Sequence, residues 1–181
     1  LARTPGKLSN FIFTLFLASM LVPFHSIMIT LTKVAKGMQV QGSLWGLGLI
    51  YIGLGVNMAI FLYHGFVKTI PKELEEAARI DGCNDFQIFT KIIFPLLKPI
   101  TATILILDIL WLWNDFLLPL IMLTDVNNYT LMLSVNMLFG QYNSDWPKIL
   151  SGLIVTALPV VVFYAIFQKY ILKGIADGAI K

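Results

Sequence analysis

Charged residues and cysteine are both scarce in this chain. Only 13% of its 181 residues are Asp, Glu, Lys or Arg, against about 25% in an average soluble protein, so they cannot cover a water-facing surface. The single cysteine, Cys83, excludes a disulfide framework. The net charge of +3 gives no indication of nucleic-acid binding.

The usual marks of an enzyme are also missing. No G-x-x-x-x-G-K-[ST] run is present, so no phosphate-binding loop of that kind is predicted. No His, Cys and Glu residues have the spacing of metal ligands, and no nucleophile–base pair can be argued. We therefore expect no catalytic residue, no metal site and no cofactor on this chain.

Long apolar runs make up the chain instead. Hydrophobic residues amount to 57% and the mean hydropathy is +0.81. A helix needs about 20 apolar residues to cross a bilayer, and four runs are long enough. The sequence predicts an all-α integral membrane protein, with a single transmembrane domain over residues 1–181. The predicted spans are 9–32, 44–67, 100–123 and 149–169, with a charged loop at 68–99 and a second loop at 124–148.

Lys and Arg are divided unevenly between the two sides of these spans. One side holds Arg3, Lys7, Lys68, Lys72, Arg79, Lys91, Lys98, Lys169, Lys173 and Lys181, and the other holds Lys33, Lys36 and Lys148. Positive charge stays in the cytoplasm when helices insert, so both ends of this chain and loop 68–99 are predicted to be cytoplasmic. Loop 124–148 is then extracytoplasmic, and its Tyr129, Tyr142 and Trp146 are interpreted as anchors at the lipid interface.

Residues 71–99 form the one charged island, which we call the elbow. Thr69 is predicted to cap a first helix and Pro71 to lie in its first turn. Gly82 ends that helix, because glycine adopts the left-handed conformation at little cost. Asn84 then caps a second helix, with Gln87 completing a capping box.

Apolar residues are predicted to give each of these short helices one buried face. Pro95 and Pro99 are expected to end the second helix before the next span. The predicted faces comprise Ile70, Leu74, Ala77 and Ala78 in the first helix and Phe86, Phe89, Ile92 and Ile93 in the second.

The elbow carries a longer signature. Glu76-Ala77-Ala78, three residues, Gly82, nine residues, Ile92, one residue and Phe94-Pro95 resemble the EAA loop of bacterial ABC-importer permeases. That loop has leucine where this chain has Phe94, a bulkier apolar residue that affects only local packing.

The rest of the chain extends the resemblance to the sugar permeases of the maltose type, and within them to the shorter partner of the permease pair. The segments that carry it are Leu44-Trp45-Gly46, Ile70-Pro71, Trp113-Asn114-Asp115-Phe116, Gln141-Tyr142 to Trp146, and Gly174 to Lys181. Such permeases usually have six spans and this chain does not begin with methionine, so we expect that the first two spans precede it.

The resemblance implies a type I ABC-importer permease fold and a carbohydrate importer of a bacterial or archaeal cytoplasmic membrane. The expected partners are a second permease subunit, a cytoplasmic ATPase dimer that holds ATP and Mg²⁺, and an extracytoplasmic solute-binding protein. The residues expected to couple to the ATPase are Glu76, Ala77, Ala78, Arg79, Asp81 and Gly82.

Polar residues in the third predicted span are candidates for a solute pathway. Asp108, Trp111 and Asp115 recur at i, i+3 and i+7, one face of a helix, with Asn114 beside them. An ionised Asp at a helix centre costs about 2.5–3.5 kcal/mol on insertion scales, so such residues face the bundle interior or water. The alternative is that Asn114 and Asp115 brace a helix break and contact no solute.

Other function classes remain open from sequence. An ABC permease for another small solute would share the EAA loop. An ion-coupled secondary transporter often shows internal repeats, and none is visible here. An amphipathic loop on the bilayer surface would have a Lys/Arg-rich face, whereas the elbow opens with three glutamates.

Overall fold

The computed structural model describes residues 1–4, 6–139 and 145–179, with side chains described as far as Gln168. Within these residues the regular elements are all helical, so the predicted all-α fold class is confirmed. The helices are α1 (Lys7–Met20), α2 (Phe24–Gly37), α3 (Leu44–Thr69), α4 (Glu73–Ile80), α5 (Asp85–Ile88), a π-helix (Phe89–Ile93), α6 (Phe94–Asn114), α7 (Leu117–Met122), a 3₁₀ turn (Val126–Asn128), α8 (Leu131–Asn136) and α9 (Trp146–Ala179).

Three helical runs in the described chain are long and apolar enough to cross a membrane: Leu44–Thr69, Asp85–Asn114 and Trp146–Gln168. A fourth crossing arises only if α1 and α2, a pair bent at a short break, count as one span. The span predicted over 9–32 is therefore interrupted in the structure, and its crossing of the membrane stays a prediction. Pro23 lies at the break, with extended backbone at the N-cap of α2, and a hydropathy run does not register the loss of the proline N–H.

The start of the elbow differs from the prediction. α3 continues to Thr69, whose hydroxyl donates to the Phe66 carbonyl at 2.9 Å. α4 begins only at Glu73, after Lys72 at an N-cap without a side-chain hydrogen bond. Thr69 therefore does not cap α4, because its hydroxyl is bonded back to α3, and Pro71 precedes the helix instead of lying in its first turn.

The end of the elbow differs as well. Pro95 and Pro99 do not terminate a helix, since the chain runs from Asp85 to Asn114 as one helical stretch. α6 begins at Phe94 directly after the π-helix, so Pro95 lies inside this helical stretch and removes one of its backbone N–H donors. Pro99 lies inside α6, where it removes the hydrogen bond that would reach the carbonyl of residue 95.

The backbone contacts divide the chain into two compact units. The first unit combines Leu1–Leu21 with Val56–Ile106 and the chain from Tyr170 onward; the second combines Val22–Gly55 with Leu107–Lys169. One buried cluster in the first unit comprises Ile70, Ala78, Ile88, Ile93 and Leu97. One in the second unit comprises Ala35, Leu47, Leu118, Met122 and Leu123.

Glycines allow close backbone approach in the second unit. A Cβ added at Gly46 would lie 1.9 Å from the Val40 carbonyl oxygen, and one at Gly152 would lie 3.0 Å from Val135 Cγ2. Gly42 has a φ of +83°, and its N–H donates to the Met122 carbonyl at 2.8 Å. The small-residue spacing of Gly42 and Gly46 therefore marks a packed segment.

Candidate functional site

The elbow of the first unit turns at Gly82. Its φ of +82° is the left-handed conformation that glycine adopts most easily, and its N–H donates to the Arg79 carbonyl at 3.1 Å. Asn84 then accepts the Gln87 N–H at 2.9 Å, while the Gln87 side chain accepts the Asn84 N–H at 3.0 Å. The predicted glycine turn and capping box are both present.

The six predicted coupling residues differ in exposure. Ala78 is buried in the core of the first unit, where a small side chain lets α4 approach its neighbours closely. Arg79 is exposed and bonded within the elbow, 2.8 Å from Asp85. The four exposed residues without such a bond are Glu76, Ala77, Asp81 and Gly82.

The predicted apolar faces of the elbow are only partly correct. Ile70, Ala78 and Ile93 are buried, and Ile88, which we had not assigned to a face, is buried with them. Phe86, however, is 74% exposed. Ile80, two residues before the turn at Gly82, is 86% exposed.

Exposed large apolar residues on a charged segment are informative. Ile80 follows Arg79, and Phe86 follows Asp85, so neither lies in an apolar run. Both side chains are therefore accessible to another molecule. From sequence, Phe86 was assigned to a buried face by its helical spacing, and Ile80 was not singled out.

A second polar site lies in the second unit, around Asp115. The Tyr51 hydroxyl donates to Asp115 Oδ2 at 2.8 Å, and the Leu117 N–H donates to Asp115 Oδ1 at 3.1 Å. Both carboxylate oxygens are thus occupied by protein donors. Asp115 lies between the end of α6 and the start of α7, so it does not continue the helix face of Asp108 and Trp111.

Asn114 and Trp111 differ in the groups they contact. The Asn114 amide donates to the Leu110 carbonyl of its own helix at 2.7 Å. The Trp111 ring meets the Tyr51 ring edge-on, with centroids 5.8 Å apart, and leaves 43% of its surface exposed. Tyr51 therefore organises this site, and sequence reasoning missed it because its partners are 60 and 64 residues away.

Asp108 is the remaining candidate on α6. It is half-buried, and within the described residues its carboxylate has no hydrogen-bond partner. A Cβ added at Gly55 would lie 3.8 Å from Asp108 Oδ1 and 3.8 Å from the Trp111 ring. A methyl group at Gly55 would therefore be in ordinary van der Waals contact with both side chains.

Another long-range hydrogen bond joins α6 to α9. The Trp113 indole N–H donates to the Thr156 carbonyl at 3.1 Å, and the Thr156 hydroxyl donates to the Gly152 carbonyl at 2.8 Å. Thr156 is 6% exposed. Pro159, three residues on, lies inside α9 and interrupts its hydrogen bonding. Trp113 is therefore a structural contact, and Thr156 was not singled out from sequence.

Parts of the segments that carried the sequence predictions fall outside the described residues. Tyr142 and Gln141 of the predicted outer loop lie outside them, as does the end of the C-terminal segment. Asn128 of that loop donates to the Gly42 carbonyl at 3.4 Å. Among the described residues no three His, Cys, Asp or Glu side chains are close enough to hold a metal ion.

Comparison with known proteins identifies the class that this fold and elbow define. Residues 1–177 match the family described as binding-protein-dependent transport system inner membrane component, and the chain belongs to that family. It is 42% identical over 182 residues to the probable starch degradation products transport system permease protein AmyC of Thermoanaerobacterium thermosulfurigenes, covering 100% of this chain and 66% of the relative.

A second curated relative and a solved structure are also similar to this chain over nearly its whole length. The multiple sugar-binding transport system permease protein MsmG of Streptococcus mutans is 39% identical, covering 97% of this chain and 64% of the relative. The chain thus spans slightly less than two thirds of the curated relatives. A solved bacterial ABC transporter that imports the acidic polysaccharide alginate matches with a TM-score of 0.70 and 22% identity, covering 93% of this chain and 63% of that one. That match shows the fold.

Proposed function

We propose that this chain is a permease subunit of an ATP-driven, binding-protein-dependent carbohydrate importer and forms half of its translocation pore. The observation that carries the proposal is the elbow, a glycine-hinged pair of helices that exposes Ile80 and Phe86 among charged residues. Family membership over residues 1–177 supports the transporter class. The sugar-transport names of AmyC and MsmG favour a carbohydrate.

The elbow is the proposed contact for a cytoplasmic ATPase dimer, on which ATP and Mg²⁺ are bound. Apolar Ile80 and Phe86 supply the contact area, and Glu76 and Asp81 supply charges for cross-interface pairs. The excess of Lys and Arg on the elbow side supports its cytoplasmic location. A second permease subunit completes the pore, and an extracytoplasmic solute-binding protein delivers the sugar.

For the solute pathway we propose Asp108 and Trp111. A carboxylate without a protein partner accepts hydrogen bonds from sugar hydroxyls, and an exposed indole covers the apolar face of a sugar ring. Both carboxylate oxygens of Asp115 and the amide nitrogen of Asn114 are bonded to protein groups, which favours the bracing alternative for both.

Copurification of the tagged whole protein from mild detergent tests the assembly. We expect a second permease and an ATP-binding subunit to copurify, and ATP-dependent uptake of oligosaccharide in proteoliposomes that also contain the binding protein. Gly82→Pro should abolish both, because proline cannot adopt a positive φ and has no N–H for the Arg79 carbonyl. Glu76→Lys should insert normally and lose the ATPase.

Lys91→Glu is the matched control for Glu76→Lys, since it also reverses one charge at an exposed position of the elbow. It should keep the ATPase. A protein that transports without ATP and without partners would contradict the proposal and favour a secondary transporter. Uptake of a non-carbohydrate solute alone would retain the importer and change its substrate.

A further inference from the structure

Arg3 links the chain before α1 to the elbow, 67 residues later. Its Nη2 donates to the Ile70 carbonyl at 2.7 Å, and its Nε lies 2.7 Å from Glu75 Oε1. Ile70 is buried at the end of α3, and Glu75 lies in the first turn of α4. One guanidinium therefore holds both sides of the connection between these helices.

The contact is shielded from water. The Arg3 and Glu75 side chains are 23% and 21% exposed, and the facing Nε and Oε1 atoms have almost no accessible surface. The Nε–H is not aligned for a hydrogen bond with that oxygen, so the attraction is that of an ion pair. Removing either partner leaves the other as a shielded charge without compensation, which is far costlier than losing a surface pair.

Arg79 and Asp85 provide the contrast within the same elbow. They lie at a similar distance, 2.8 Å, but their side chains are 63% and 86% exposed. Water screens such a pair, and it contributes little. The strong ionic contact of this unit is therefore the one that reaches out of the elbow to Arg3, and not the one contained within it.

We propose that Arg3 is a positioning residue that fastens the elbow to the segment leading into α1. The elbow is joined covalently to α3 on one side and to α6 on the other, whereas α1 is distant in sequence. Through Arg3, a displacement of α4 is passed to α1 as well. The transmitted movement rests on the proposed function, because it presumes that an ATPase acts on the elbow.

The planar fork of arginine matters for this role. It presents several N–H groups in fixed directions, so one side chain reaches the Ile70 carbonyl and the Glu75 carboxylate together. Lysine carries the same charge on a single flexible ammonium. Arg3→Lys should therefore fasten the elbow to the segment before α1 only in part, and Arg3→Gln should not fasten it.

The test measures sugar molecules imported per ATP hydrolysed by the whole importer in proteoliposomes. Arg3→Gln and Glu75→Gln should each lower this ratio severalfold, because each leaves the remaining charge without its partner, while the ATPase still copurifies. The double variant should be no worse than either single one, because both remove the same contact. Lys7→Gln and Glu73→Gln, exposed neighbours of the same charge, should leave the ratio unchanged.

A wild-type ratio in Arg3→Gln, or additive losses in the double variant, would overturn the inference. The wild type, Arg3→Gln, Glu75→Gln and the double variant are also compared by thermal unfolding in detergent, a readout independent of transport. If the midpoint shifts of the two single variants do not add up in the double variant, the contact is supported. Additive shifts overturn it. If the wild type binds no ATPase and imports nothing, the proposed function fails instead, and the unfolding cycle alone decides whether Arg3 holds the elbow.

Discussion

The elbow and the Asp115 site use polar residues in opposite ways. In the elbow, hydrogen bonds join near neighbours such as Asn84 and Gln87, and several charged side chains are exposed. At the Asp115 site both carboxylate oxygens are occupied, one by Tyr51 from 64 residues away. Water solvates free charges, whereas hydrocarbon makes an unpaired polar group costly. A segment that water reaches can therefore keep charges available for a partner. A carboxylate in hydrocarbon needs a bonded partner, as Asp115 has, or a polar pathway, as proposed for Asp108.

This difference predicts two kinds of mutational effect. Substitutions in the second unit should mainly lower stability, because its polar and small residues are used in packing. Substitutions in the elbow should mainly lower coupling to the partner at a smaller cost in stability. For each variant, stability is measured by thermal unfolding in detergent, and coupling is measured as sugar imported per ATP hydrolysed.

Gly46→Ala should have the largest effect on stability. The new Cβ would lie 1.9 Å from the Val40 carbonyl oxygen, so the backbone itself must move. Overpacking typically costs about 1–3 kcal/mol and sometimes more, and we expect the upper end here. The unfolding midpoint should fall sharply, together with the amount of folded protein recovered.

Gly48→Ala is the matched control, in the same helix two residues later. Nothing lies within 4 Å of a Cβ at Gly48, and alanine favours helix over glycine by about 1 kcal/mol. Its midpoint should stay the same or rise. Equal losses in both variants would show that α3 is sensitive to any substitution and that the close contact with Val40 is not the cause.

Tyr51→Phe should come next. It removes the hydroxyl that donates to Asp115 Oδ2 at 2.8 Å and leaves that oxygen unpaired, at a cost of about 1–3 kcal/mol. The ring contact with Trp111 is retained. Tyr164→Phe removes an exposed hydroxyl elsewhere in the second unit and should be neutral. If transport per ATP fell in Tyr51→Phe while its midpoint was unchanged, Asp115 would belong to the solute pathway and not to a brace.

The same contrast explains what could be predicted from sequence. The glycine turn and the capping box were predicted correctly because every partner lies within a few residues, where spacing determines geometry. The bonds of Asp115 to Tyr51, of Trp113 to Thr156 and of Arg3 to Ile70 were missed, since they join residues 64, 43 and 67 positions apart. No local pattern encodes such pairs.

Two local predictions were wrong for a different reason. Thr69 and Pro71 have the types expected at a helix start, but α3 extends through Thr69 and uses its hydroxyl. Pro95 and Pro99 have the type expected at a helix end, but the helix continues through both. In each case a long helix continues through residues whose types also occur at helix boundaries, so residue type alone does not fix where the helix begins or ends.

Gly82→Ala should have a moderate effect on stability and a larger one on coupling. No atom lies within 4 Å of the added Cβ, so the cost comes from φ alone. A left-handed conformation costs about 1–2 kcal/mol for a residue with a Cβ. We expect a small fall in the midpoint and a clear loss of sugar imported per ATP. Gly82→Asn, which tolerates this conformation better, should recover most of the loss.

Asn84→Ala should have the smallest effect and gives the finest test of the comparison. It removes the side chain that accepts the Gln87 N–H but leaves the reciprocal bond from the Asn84 N–H to the Gln87 side chain. Loss of an N-cap costs about 1 kcal/mol. Asn84→Ser keeps a capping oxygen and should match the wild type.

The exposed Phe86 lies in the first turn of the helix that Asn84 caps, so a frayed cap displaces the proposed contact surface itself. We therefore expect coupling to fall more in Asn84→Ala than the midpoint would suggest. If both fell in the proportion seen for Tyr51→Phe, the elbow would act as packed structure like the Asp115 site. Its exposed residues would then have no separate role in binding a partner, and the contrast between the two regions would not hold.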